Sequence, residues 1–217
     1  MSHVQKIRIL SFITLFTLLT GCAVGTSELQ LVEPELSQQD VSATKSVFVN
    51  LPTDNRVFNP QTKDPSVPST EPSNKAVGRK RNSWGAALGD FALAGDQTVN
   101  SLVKVALEKA FQSNGFKVIN NKADVTKSTL VVDSQITKFW TWFNPGFSHI
   151  TLSANIETDV EIKDSKKSDE KIKIEGRYSE GFQLGLTGNF QKVLQKAYDY
   201  FISNATLNLD EPLKKLD

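Results

Sequence analysis

Cysteine is nearly absent from this 217-residue chain, which holds one, Cys22. One thiol excludes an internal disulfide and any cysteine-built zinc centre. Histidine is almost as scarce: beyond the first 21 residues only His149 occurs, so metal sites of His-rich spacing lack material, and a lone imidazole at the start of a strand is far more often incidental than catalytic. Neither sign of charge is in excess, with 25 Lys and Arg against 24 Asp and Glu. Nothing in that balance argues for a nucleic-acid partner, which usually needs a basic stripe. No apolar run reaches the about 20 residues required to span a bilayer. A Walker loop and a Ser-centred nucleophile elbow are also missing. The carboxylates sit on alternating solvent positions or in polar stretches, where paired acid and base roles have no support. The reading is of a protein that is not an enzyme and carries neither metal nor soluble cofactor.

What is present begins with Lys6 and Arg8, an apolar stretch from Ile9 to Leu19, and Leu19-Thr20-Gly21-Cys22. A positive start, a short apolar core and small residues before the break are the layout of a secretory signal. The last four residues resemble the lipobox of bacterial lipoproteins. That resemblance implies cleavage before Cys22, a thioether-linked diacylglycerol on its sulfur and N-acylation of the new amine. Two or more acyl chains hold a protein stably on a membrane. Ala23 follows, not the Asp that retains such lipoproteins at the inner membrane. The expected location is therefore the periplasmic face of the outer membrane, with outer-membrane lipid as the anchor's partner.

Beyond residue 21 the chain divides by composition. Residues 22–45 are polar and read as a lipidated flexible tether, and 46–209 as a single α+β domain, with 210–217 left as a tail. A segment at about 59–76 carries four of the eight prolines. It is too polar to bury a core and reads as a disordered insertion. Ser46 to Leu51 is β-branched and aromatic and reads as a strand ending at Pro52. Val99, Leu102, Val103, Ala106, Leu107, Ala110 and Phe111 follow helical spacing, predicting a helix over about 97–114 with Asp96 as N-cap and Gly115 as stop. Phe190, Val193, Leu194, Ala197, Tyr198, Phe201, Ile202 and Ala205 repeat the pattern, with Asn189 as cap. Between the helices the period falls to two: strands are expected at Thr129 to Phe143, Ile150 to Ile162 and Ile172 to Tyr178, with a short one at Lys117 to Ile119. The sum is a two-layer sandwich: a mostly antiparallel sheet of four to five strands, two amphipathic helices on one face, and an opposite face that is polar and wet.

Two stretches break these patterns. Trp140, Trp142, Phe143 and Phe147 fall with Phe139 around a strand end, and alternation splits Phe139 and Phe143 from the two tryptophans. Either they form an exposed patch for a partner or the membrane interface, or the sheet curls and both faces are covered. Arg79, Lys80 and Arg81 lie beside glycines in Val77 to Asp90; this is either a contact for an anion or lipid head group or a structured surface loop.

The lipobox, the early strand, Val77-Gly78-Arg79-Lys80-Arg81-Asn82, Val105 to Phe111 and Gly115-Phe116-Lys117-Val118 together resemble the YajG-type family of uncharacterised bacterial lipoproteins, over residues 46–209. The proline-rich insertion before Gly78 departs from that pattern. The family brings no established activity and no site residues to carry over. More distantly, the layout is similar to small lipoproteins that brace outer-membrane assembly machines. The expectation is a non-enzymatic interaction or adaptor domain at the outer membrane, with another envelope protein as partner. The alternative is a binder of a small amphiphile or lipid between sheet and helices, which a cavity of several hundred Å³ lined by Phe and Leu would favour.

Overall fold

In the computed structural model, residues 25–36, 45–58, 73–82, 84–146, 149–165 and 169–216 are described. Cys22, Phe147 and residues 59–72 lie outside them. The spine is a long antiparallel meander of β7 (Thr129–Pro145), β8 (Ile150–Lys163) and β9 (Glu170–Phe182). Period-two alternation makes it: Leu152, Ala154, Ile156, Val160 and Ile162 all point into the core.

The free edge of β7 is long enough to take three short strands end to end, each parallel to it: β2 (Ser46–Val49), β3 (Thr53–Asp54) and β4 (Ala76–Arg81). From there the sheet forks. β2 continues to β6 (Lys117–Val118), while β4 continues to β5 (Ala87–Leu93) and then to β1 (Ser27–Leu29). The result is one mixed, curled sheet with nine strands among the described residues, not the four to five mostly antiparallel strands expected. Parallel pairing was hidden because it joins segments about 80 residues apart, through connections that leave no local signature.

Two helices cover the apolar face. α1 (Val99–Ser113) has the anticipated stripe, but its N-cap is Thr98, which forms a reciprocal capping box with Ser101 in place of Asp96. α2 (Thr187–Lys215) begins after Leu186, before the expected Asn189, and runs on through Pro212. Leu209 and Leu213 extend the Ala205 stripe at i+4 intervals into the core, so most of the expected tail is helix. The helices are tied together by the Tyr198 hydroxyl, which donates to the Leu102 carbonyl at 2.8 Å. Burial of that phenol pushes its pKa well above the ordinary value. α2 rests directly on β9 at Gly176, where an added Cβ would stand 2.2 Å from the Ala197 carbonyl oxygen.

The expected tether is docked over part of its length. β1 lies parallel to β5, with Ser27, Glu28 and Leu29 opposite Phe91, Ala92 and Leu93. Leu29 and Leu31 are buried in the core. Gln97 closes on Leu31 like an added strand residue, accepting from its N–H at 3.0 Å and donating to its carbonyl at 2.7 Å. Gln195 does the same for Val32 from α2. Leu29, Leu31 and Val32 were too few apolar residues among glutamates to outweigh a polar composition.

Candidate functional site

β7 decides where the aromatic residues go. Leu130, Val132, Ser134 and Ile136 face the core, and a register shift between Ile136 and Lys138 then inserts one residue. Such a bulge exchanges the two faces of a strand. Phe139, Thr141 and Phe143 therefore take over the core side, with Phe139 fully buried and Phe143 packed on the core's edge. Trp140 turns to the opposite face, yet is only 6% exposed. It is covered by Arg56, whose guanidinium carbon lies 4.5 Å from the indole centroid, and by Phe58, edge-on at 5.3 Å.

Arg56 was overlooked in the sequence and is the most heavily bonded side chain on this face. Its fork meets Asp54 twice, Nε to Oδ1 and Nη2 to Oδ2, both at 2.8 Å. It also donates to the carbonyls of Ala76 at 2.5 Å, Ser73 at 3.0 Å and Phe139 at 3.3 Å. Its side chain is 0% exposed. The polar sheet face is thus partly closed: Ser153, Asn155 and Glu157 are buried beneath their cross-strand neighbours. Glu157 is held by Lys173 at 2.7 Å and Lys138 at 3.1 Å. Nearby, Lys163 bridges Asp133 and Glu161, and Lys171 joins Glu161. Lys163 and Lys171 hold the Asp133 and Glu161 carboxyls below the usual carboxylate range. These groups are fixed as anions, the opposite of what a general acid requires. Among the described residues no group of three or more His, Cys, Asp and Glu is placed to hold a metal ion.

The stretch Val77 to Asp90, read as either an anion contact or a structured surface loop, is mostly strand, with a turn at its middle. It is the hairpin of β4 and β5, with bulges that break its two-residue alternation, which is why its strands escaped notice. The hairpin carries Lys80 and Arg81 to the end of β7, so that two sequence anomalies 60 residues apart meet in one cleft. Leu88 and Phe91 of β5, Phe143 of β7, Ile150 of β8 and Phe190 of α2 form its apolar walls, and Lys80 and Arg81 of β4 line it with them. Its volume is about 370 Å³. Phe91 and Phe190 pack at 4.3 Å between centroids, and Lys80 Nζ stands 5.5 Å from the Phe91 ring. Thr187, the first residue of α2, also reaches the cleft, and no side chain caps that helix N-terminus. A positive helix end beside two cations favours an anion there. Arg79 is half-buried and points elsewhere than the cleft lining, Trp142 is half-buried, and Cys22 and Phe147 fall outside the described residues.

No family model matches the chain, and no curated protein matches it. Solved structures do. One is an uncharacterised protein, 8% identical, with 86% of this chain and 99% of that one covered and a TM-score of 0.41. A second is a Xanthomonas campestris protein of the DUF330 family, 10% identical, covering 87% and 98%, with a TM-score of 0.48. A third is a Helicobacter pylori protein described as a neuraminyllactose-binding hemagglutinin homolog, 10% identical, covering 84% and 92%, with a TM-score of 0.43. At these scores the similarities carry no functional argument, and the likeness to YajG-type lipoproteins rests on the sequence motifs alone. No helix among the described residues is long and apolar enough to cross a membrane.

Proposed function

We propose that this chain is a lipoprotein, anchored through acylated Cys22 on the periplasmic face of the outer membrane, whose domain binds an amphiphile with an anionic head. The observation that carries the reading is the cleft itself. Its volume falls within the about 300–1,000 Å³ range of small-molecule sites. Its apolar lining is Leu88, Phe91, Phe143, Ile150 and Phe190, and Lys80 and Arg81 supply its charge. An apolar tail buried there gains about 0.8 kcal/mol per methylene, while the cations and the α2 N-terminus select a negative head. This reading is favoured over docking of an envelope protein on the aromatic strand, because Phe139 is in the core and Trp140 lies beneath Arg56.

The test is a titration of the chain from Ala23 onward with dansyl-labelled fatty acids of increasing length. Saturable one-site binding is expected, strengthening roughly fourfold per added methylene until the cleft is full. Phe143→Asp should abolish it, and methyl esters should bind more weakly than acids. Binding that ignores chain length, or survives Phe143→Asp in a folded variant, sinks the proposal.

A further inference from the structure

Two segments at the mouth of the cleft hold large apolar side chains out in water. Trp84, in the β4–β5 turn, is 91% exposed, and Leu184 and Leu186, between β9 and α2, are 63% and 60% exposed. For Trp84 this exposure is built in. The Asn82 side-chain oxygen accepts from the N–H groups of Trp84 at 3.0 Å and Ala86 at 2.9 Å. Asn82 N–H donates to the Ala86 carbonyl at 2.9 Å, Arg81 donates to Gly85 O at 2.8 Å, and Gly85 takes φ 80°. These bonds fix the backbone of the turn, and the indole stands exposed upon it. A tryptophan and two leucines beside a cleft lined by Lys80 and Arg81 have the composition of a membrane-interface surface.

The N-terminal strand ends at the same place. Gly25 N–H donates to the Leu88 carbonyl at 2.8 Å, and Gly89, at φ +147°, leaves room for that approach: a Cβ there would fall 2.1 Å from Gly25 O. The Ser27 hydroxyl lies 3.5 Å from that of Thr187, at the start of α2. Cys22 precedes Gly25 by three residues, which span at most about 11 Å when fully extended. A domain on so short a leash presents this end to whatever holds Cys22.

From this geometry we infer that the cleft end of the domain is its membrane-docking face. Trp84, Leu184 and Leu186 enter the interface of an anionic bilayer, Lys80 and Arg81 lie over its head groups, and the cleft opens onto the leaflet that holds the anchor. The inference rests on the reading of Cys22 as the lipid-bearing residue. It does not require that the cleft be occupied.

The experiment uses the full chain, lipidated in cells and reconstituted into phosphatidylethanolamine–phosphatidylglycerol vesicles containing lipids brominated near the interface. Flotation reports the anchor, and bromine quenching of tryptophan reports the orientation. Three tryptophans are present, Trp84, Trp140 and Trp142, and Trp84→Phe at an exposed turn leaves the fold intact, as circular dichroism will check. We expect strong quenching in the parent and loss of at least two-thirds of it in Trp84→Phe. Lys80→Gln with Arg81→Gln should shift the docking equilibrium on the order of thirtyfold, about fivefold per cation. A chain that fails to float overturns the anchor and the docking with it. A chain that floats with Trp84 unquenched, or with quenching unchanged in Trp84→Phe, overturns the docking and leaves the cleft's ligand as a separate question.

Discussion

Replacing Arg56 by alanine should be among the most damaging single changes outside the core. Its guanidinium is fully buried, bonded twice to Asp54 and to three backbone carbonyls, and stacked on Trp140. Truncation leaves the Asp54 carboxylate without its guanidinium partner, takes a donor from each of the three carbonyls, and uncovers one face of the indole. Removing one member of a buried ion pair costs about 3–5 kcal/mol. The lower part of that range applies here, because Asp54 is 17% exposed and water can take up part of its charge. For a domain of this size about 2–4 °C of melting temperature accompanies each kcal/mol, so a loss of about 3–4 kcal/mol lowers it by roughly 6–16 °C. Urea unfolding should show a lower midpoint with an unchanged slope. Arg56→Lys keeps the charge but not the planar fork, and should recover only part of the loss. An Arg56→Ala variant within about 1 kcal/mol of the parent would falsify the assignment of Arg56 as the tie between β3, β4 and β7.

Gly176→Ala should destabilise by about 1–3 kcal/mol, because the new methyl meets the backbone of α2 at Ala197 O and Phe201 N, which no change of rotamer relieves. A thermal melt indistinguishable from the parent refutes that packing. The Glu157 carboxyl predicts an acid-dependent loss. Burial raises its pKa, but hydrogen bonds from Lys173, Lys138 and Thr137 together outweigh burial and leave it at about 2, against an ordinary 4.5. The folded state therefore binds fewer protons between those values, so this group's stabilisation is complete above pH 4.5 and disappears as pH falls to about 2. Its size is roughly 1–3 kcal/mol, reduced because the two lysines stand largely in water. Denaturant midpoints taken from pH 5 to pH 2 should fall less steeply for Glu157→Gln, and parallel curves would remove Glu157 from the account.

Where apolar residues repeated at one period without interruption, structure was legible directly. The stripes from Val99 to Phe111 and from Phe190 to Ala205 are the buried faces of α1 and α2, and Ile150 to Ile162 alternates as β8. Legibility stopped where a local pattern was broken by something distant. The β7 bulge changes the strand's parity, so Phe139 joins the core although Leu130 and Val132 precede it by odd steps. β4 and β5 pair through bulges, four of the six residues in β4 and two of the seven in β5 are polar or glycine, and beyond their own hairpin their partners are the distant β7 and β1. The cleft was foreseen only in its parts: the cationic run and the aromatic run were each noticed, but only folding joins Lys80 and Arg81 to Phe143. Arg56 offered no signal, since one arginine followed by Val57 and Phe58 in a short polar stretch resembles any surface cation.

The clasp between Val32 and Gln195 orders events in time. Its two hydrogen bonds, at 2.7 and 3.2 Å, join residues 163 positions apart. β1 and β5 both precede α2 in the chain, so β1 can pair with β5 early but cannot be clasped until α2 has reached its place. Contacts of such sequence separation form late, because a very long loop must close before they return any stabilisation. Until then the N-terminal stretch is held by β5 and Gln97 but lacks the α2 half of its clasp. Docking of α2 adds that half, so a helix late in the chain acts as the latch on an early strand.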